Sequence, residues 1–196
     1  FIQCDLELAV LAILLCQTVK RAKIAVPVKS SQVLEQLAEK YGAKVIRTKT
    51  STRRMMETAA GQNVNLLGEH LGRFIFPAFQ PAFDAMFATA KLLELLAKNG
   101  RRLSEVAAEV PKITMVSKAI SCPQEAKGKI LRLIVDDHRD EEIDLTDGVK
   151  IFVDEGWILI LPDPSRPLVH LYAEAKTEKQ AQKLIDEYVK KIDAIL

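Results

Sequence analysis

Two apolar, strand-like runs, Trp157-Ile158-Leu159-Ile160 and Leu168-Val169-His170-Leu171-Tyr172, are separated by Leu161-Pro162-Asp163-Pro164-Ser165-Arg166-Pro167. Each proline ring fixes φ and pushes the residue before it toward extended backbone, so a loop with three prolines in six residues is stiff. Stiff loops hold side chains still. This one offers the Ser165 hydroxyl, the Arg166 guanidinium and the Asp163 carboxylate, groups from which a contact to a small anion or a sugar can be built. The alternative reading is a rigid turn on a surface hairpin.

Upstream, the pattern alternates. Asp5 is placed as the cap of a helix to about residue 19 that is apolar almost all round and therefore buried. Residues 23–28 read as a short strand. Residues 32–41 read as a helix with Val33, Leu34, Leu37 and Ala38 on one face and Gly42 as its stop, and 43–47 as the next strand. Strand, helix and strand joined this tightly predict an α/β layer.

Residues 48–54 then combine four hydroxyls with three cations ahead of a helix through Ala60, a composition that favours a nearby phosphate or other anion and equally fits a solvated cap. Gly68-Glu69-His70-Leu71-Gly72-Arg73 lies between the apolar runs 64–67 and 74–76. Its glycines permit a sharp turn or a close ligand approach, with Glu69 and Arg73 at the turn; a plain hairpin has the same signature. Residues 81–99 form the longest helical pattern, and its stripe of Phe83, Met86, Phe87, Ala90, Leu93, Leu96 and Ala97 is assigned to the core. A short helix over 103–109 is closed by Pro111.

Beyond Pro111 the pattern changes. Residues 113–119 read as a strand, 123–135 as a helix and 136–142 as a charged surface loop, with His138 solvated. Strand runs follow at 143–145, 149–153, 157–161 and 168–175, with turn signals at Asp147-Gly148 and Glu155-Gly156. Thr177 and Gln180 resemble a capping box for a last helix whose stripe is Leu184, Ile185, Tyr188, Ile192 and Ile195. The expected organisation is an α/β domain over 1–110 and, over 111–196, an α+β domain with an antiparallel sheet and helices on one face.

Lys and Arg total 28 against 26 Asp and Glu, so no basic field suggests nucleic acid. Cys4, Cys16 and Cys122 make no C-x-x-C pair and are assigned to the core, which suits a reducing, cytoplasmic setting. His70, His138 and His170 lie in separate elements and have no metal-ligand spacing. Residues 6–16 are too short to span a bilayer and follow no basic segment, so no membrane helix or signal peptide is expected. The chain opens at Phe1 inside an apolar pattern and reads as a piece of something longer.

The order of these motifs resembles the C-terminal half of the α-D-phosphohexomutases, the phosphomannomutase/phosphoglucomutase family. Gly68-Glu69-His70-Leu71-Gly72-Arg73 matches the family's sugar-contacting loop G-E-x-S-G-H, and Asp84 matches the acidic residue that opens the following long helix. Asp147-Gly148-Val149-Lys150, leading through Trp157 to residues 161–167, stands where the family carries its phosphate-binding loop R-P-S-G-T-E-P. With D-P-S-R-P in that last loop, the chain also looks like the mutase-like C-terminal part of chains that begin with a sugar-1-phosphate nucleotidyltransferase, the mannose-1-phosphate guanylyltransferase/phosphomannomutase type.

The resemblance implies a third, sugar-recognising mutase domain followed by a fourth, phosphate-binding domain of the TATA-box-binding-protein-like type. It further implies a hexose-phosphate ligand, with Glu69, Arg73, Thr50, Ser51 and Arg53 on the substrate and Ser165 with Arg166 on phosphate. The family's phosphoserine and magnesium loops, which move phosphoryl between the 1- and 6-positions of a hexose, have no counterpart here. Catalytic and metal residues are therefore expected in missing N-terminal mutase domains, with magnesium in the parent protein and not on this fragment. The departures are substantial: Leu71 stands for serine and Arg73 for histidine in the sugar loop, and Leu161, Asp163, Pro164, Ser165 and Arg166 replace arginine, serine, glycine, threonine and glutamate in the phosphate loop. Asp163 puts a negative charge where the family seats a dianion, and Pro164 removes a backbone donor. A non-catalytic sensing or assembly module beside a nucleotidyltransferase is the alternative function.

Overall fold

The computed structural model describes residues 4–154 and 156–196, without the Cys4 side chain. The chain divides after Ile113 into two compact units, the second spanning Thr114–Leu196.

The first unit is built on helix α1, Cys4–Thr18, whose residues 8–16 are buried on every side. A helix with no polar face can only be stable inside a core. Asp5 stands in its first turn and not at a cap, because Cys4 is already helical; a carboxylate there still favours the positive end of the helix dipole. The Asn99 amide donates to Leu14 O and Thr18 Oγ1 at the other end.

Strands β1 (Lys23–Pro27), β2 (Lys44–Thr48), β3 (Leu66–Glu69) and β4 (Arg73–Ile75) form a sheet ordered β2-β1-β3-β4, parallel except for the β3/β4 hairpin. Helix α2 (Val33–Lys40) joins β1 to β2, and α3 (Thr52–Gly61) carries the chain from β2 past β1 to β3. Alternation along β1 sends Ile24 and Val26 to the side of α1 and α2, and Ala25 to the opposite side with Met55 and Ala59 of α3. Helices thus cover both faces, and β1 is buried from Ile24 onward.

Helix α4 runs Ala85–Asn99 and α5 Leu103–Ala107, so the long helix starts four residues later than the expected 81. Asp84 caps it, accepting from Phe87 N–H at 2.8 Å. The expected core stripe is also corrected. Ala88 and Leu95 are the buried residues of α4, whereas Met86 is 85% and Leu93 62% exposed. Phe83 lies ahead of the cap and packs with the α3-side cluster, while Phe87 packs with the α1-side cluster. The aromatic spacing therefore spans a loop and a helix, not one helical face.

In the second unit, β5 (Met115–Ser121), β6 (Ile143–Asp144), β7 (Val149–Val153), β8 (Gly156–Pro162) and β9 (Leu168–Ala175) form an antiparallel sheet ordered β5-β9-β8-β7-β6. Helices α6 (Lys127–Asp137) and α7 (Glu178–Ile195) bury Ile130, Ile134, Ala181, Ile185, Tyr188 and Ile192 against one face. Thr177 caps α7 by accepting from Gln180 N–H. Glu155, half of one expected turn signal, lies outside the described residues. Gly148, in the other, has φ +73°, and a Cβ there would stand 2.3 Å from Ile160 O, so only glycine fits this turn.

His138 is not solvated. It is buried at the end of α6, with Nδ1 2.7 Å from Ile134 O and Nε2 2.8 Å from the Tyr188 hydroxyl. A carbonyl only accepts, so Nδ1 donates to it and Nε2 receives the Tyr188 O–H. Burial also pushes the Tyr188 hydroxyl pKa up. Tyr188→Phe should cost about 1–3 kcal/mol by stranding a buried ring nitrogen. Urea denaturation followed by the fluorescence of Trp157, the sole tryptophan, measures it; an unchanged midpoint would mean that this bond contributes nothing.

Cys16 and Cys122 are buried free thiols, and burial pushes Cys16 up to about 11, as befits space-filling side chains. Among the described residues no helix is long and apolar enough to cross a membrane.

Candidate functional site

In the first unit the carboxyl ends of β1, β2 and β3 share one edge of the sheet. The loop after β1 enters α2 on one face and the loop after β2 enters α3 on the other, so adjacent strands send their connections apart. In open α/β sheets ligands bind outside the strand ends at such a switch point.

Arg47 fixes the first wall. Its guanidinium grips Glu35 with two bonds of 2.8 and 2.7 Å and donates to the carbonyls of Pro27, Ser30 and Ser31. Ser31 Oγ accepts from Val33 N–H at 3.0 Å, and the buried Ser30 hydroxyl has no hydrogen-bond partner. The loop so held presents Lys29, whose Nζ is 4.0 Å from Glu69 Oε2.

Glu69 closes β3, its side chain only 1% exposed. Its Oε1 accepts from Arg73 Nε, and the Arg73 guanidinium lies 4.6 Å above the centre of the Phe83 ring. The hairpin register pairs Glu69 with Arg73, which is why both polar ends meet. Gly68 is an interior strand residue and not part of the turn, which consists of His70, Leu71 and Gly72 at φ +73°. His70 Nδ1 is buried without a hydrogen-bond partner, and burial, followed by the Lys29 charge, lowers its pKa. Two cations, one carboxylate and an imidazole are thus grouped at one strand end.

The other expected substrate residues lie on the β2–α3 connection. Ser51 caps α3, accepting from Arg54 N–H at 3.4 Å, and Thr50 precedes it. Arg53 is 88% exposed and pairs with Glu57 of its own helix at 2.8 Å, a solvent-screened pair that is easily exchanged. A cleft of about 640 Å³, walled by Leu15, Val64, Phe76, Phe79 and Phe87, contains none of the expected site residues.

In the second unit, Asp163 is buried to 6% exposure beneath its own loop. Oδ1 accepts from Ser165 N–H, the Ser165 hydroxyl and Arg166 N–H at 3.0, 3.1 and 2.8 Å. Oδ2 accepts from Arg166 Nε and a terminal nitrogen at 2.9 and 2.7 Å, and faces His170 Nε2 at 3.0 Å. Asp at the first and Pro at the second position of a turn predispose the backbone to this wrap. The bond to His170, those to the Arg166 side chain and backbone, and the Ser165 N–H hold the carboxyl far below the usual carboxylate range. Lys127 underpins the loop, its buried ammonium donating to Gln124 Oε1, Asp163 O and Arg166 O at 2.6, 2.5 and 2.6 Å. Ser165 and Arg166, expected on phosphate, therefore spend these donors on Asp163.

Sequence reasoning passed over Lys29, Lys127 and His170. Lys29 alone had a signal, a cation directly after a predicted strand end in an α/β layer. The partners of Lys127 and His170 are tertiary and leave no mark in local pattern. Among the described residues no group of three His, Cys, Asp or Glu side chains could hold a metal ion, so no residue here is assigned to magnesium.

Residues 5–113 match the family model for phosphoglucomutase/phosphomannomutase, alpha/beta/alpha domain III. A probable phosphoglucosamine mutase of Methanopyrus kandleri is 33% identical over 169 residues, covering 85% of this chain and 37% of the relative. A phosphoglucomutase/phosphomannomutase of Thermococcus kodakarensis is 29% identical over 197 residues, covering 100% of this chain and 43% of the relative. The chain thus spans about two fifths of the length of these curated relatives. The crystal structure of a phosphoglucomutase/phosphomannomutase family protein from Burkholderia thailandensis superposes with a TM-score of 0.79 at 21% identity, over 97% of this chain and 41% of that one, which speaks to fold. The family model takes in more than half of the sequence and nearly all of the first unit, and on that ground the chain belongs to the phosphoglucomutase/phosphomannomutase family.

Proposed function

We propose that this chain is the hexose-phosphate-recognising C-terminal part of a phosphohexomutase, with phosphoryl transfer between the 1- and 6-positions carried by residues outside this sequence. The observation that supports it is the grouping of Lys29, Glu69 and Arg73 at the strand ends of the switch point. Glu69 accepts hydrogen bonds from sugar hydroxyls, while Lys29 and Arg73 balance its charge and face the ligand's anionic side. Thr50, Ser51 and Arg53 offer hydroxyls and a cation from the next loop, at the start of α3, where the helix dipole favours an anion. Magnesium belongs to the residues outside this sequence.

Calorimetric titration of mannose 1-phosphate and glucose 6-phosphate into the full-length protein carrying this chain, with a mutase assay on the same preparation, tests the reading. Saturable binding with turnover is the expected result, and absence of binding to either sugar phosphate removes the proposal.

One observation favours a second reading, a non-catalytic mutase-like module attached to a sugar-phosphate nucleotidyltransferase. The loop expected to clamp phosphate already contains a carboxylate. Binding without turnover supports this second reading, and turnover eliminates it.

A further inference from the structure

The loop over residues 163–166 is built like an anion seat. Two main-chain N–H groups, one hydroxyl and a guanidinium edge converge on one point, together with the His170 ring. A buried ammonium, Lys127, stands under the same loop and spends its bonds on uncharged oxygens. Arg166 thus pairs with the carboxylate itself, while Lys127 holds the main chain of the same loop from below. A pair that only tied a turn together would need far fewer donors, since a carboxylate has about four lone-pair directions and these are filled from both sides.

We infer that Asp163 is the built-in occupant of an anion-binding loop, which closes that loop to external phosphate. Phosphate presents the same kind of acceptor oxygens to the same donors, so the two anions compete for one place. The tethered one has the advantage. Asp163 is covalently held, and Pro164 stiffens the turn that brings it there, so it pays little entropy to enter, whereas free phosphate must surrender its translational freedom. Phosphate entering beside Asp163 would also meet its negative charge at contact distance. Specificity at this loop accordingly resides in residue 163: a carboxylate excludes phosphate, and a small neutral side chain admits it. The inference rests on the loop alone and stands whether or not the first unit binds a hexose phosphate.

The test uses inorganic phosphate as the probe, followed by calorimetry and by thermal shift at constant ionic strength, on the wild type, Arg166→Ala, Asp163→Ala, Asp163→Asn and the double variant Asp163→Ala/Arg166→Ala. The wild type should show no saturable phosphate binding that depends on Arg166. Asp163→Ala should gain a phosphate site at least about tenfold tighter than any in the wild type, with a Tm that rises with phosphate, and the double variant should lose it. Asp163→Asn keeps an acceptor for the turn N–H groups and so guards against a folding failure; it should gain a weaker site. Wild-type binding equal to that of the variants and abolished by Arg166→Ala would overturn the inference. So would folded Asp163→Ala and Asp163→Asn proteins with no gain in phosphate affinity.

Discussion

Trp157→Ala should destabilise the second unit by about 3–5 kcal/mol, a large fraction of the stability of a domain this size. The indole is fully buried, its Nε1–H donates to Glu174 Oε2 at 2.7 Å, and the Lys150 ammonium sits 3.8 Å from the ring centre. Lys150 itself is only 2% exposed, and a desolvated cation over an indole face gains about 2 kcal/mol. Truncation to alanine thus removes a large apolar body, a hydrogen bond to a carboxylate and the platform for a buried charge, while the two central strands of the sheet close only partly over the void. Trp157→Phe separates these contributions, because it keeps most of the ring volume and deletes the N–H; a cost of about 1–3 kcal/mol is expected. Far-UV circular dichroism in urea reads both variants without needing the fluorophore. A loss below 1 kcal/mol for Trp157→Ala would show that the indole is not part of the core.

The elements that sequence made legible are those whose signal is local. A helix apolar on all sides has to be buried, and residues 8–16 are. The strand-helix-strand spacing over 23–48 produced the parallel pair, and the alternation at 168–175 produced a strand with one buried face. Where partners are distant in sequence, the pattern misleads. Phe83 and Phe87 have helical spacing, yet a cap at Asp84 separates them and each joins a different cluster. His138 stands in a charged run that suggests solvent, but Tyr188, fifty residues further on, supplies the partner that makes burial affordable. The placement of Glu69 and Arg73 beside one turn was legible because a single short hairpin pairs them locally. The state of residue 163 was half legible: its charge was evident, but that its own loop, with Lys127 beneath, would satisfy it was not.

Glu69→Gln should weaken hexose-phosphate binding by about 10- to 100-fold, the equivalent of losing one hydrogen bond to a charged group at about 1.5–3 kcal/mol. The substitution is close to isosteric, so the β3/β4 hairpin keeps its shape. What changes is charge. The carboxylate that accepts from Arg73 and faces Lys29 becomes an amide, and the two cations are left to repel one another at a site where Glu69 is 1% exposed. A stability loss of about 1–3 kcal/mol should accompany the affinity loss, and the two must be told apart. Arg53→Ala provides the contrast, because Arg53 is 88% exposed and pairs only weakly with Glu57 on its own helix. Its Tm should stay near wild type while affinity falls severalfold, as the proposed reading requires of a ligand contact with no structural role. Calorimetry at a temperature where both variants remain folded by circular dichroism gives the comparison. If folded Glu69→Gln binds hexose phosphate as tightly as the wild type, the carboxylate is a strut for Arg73 and Lys29, and the proposed sugar contact is wrong.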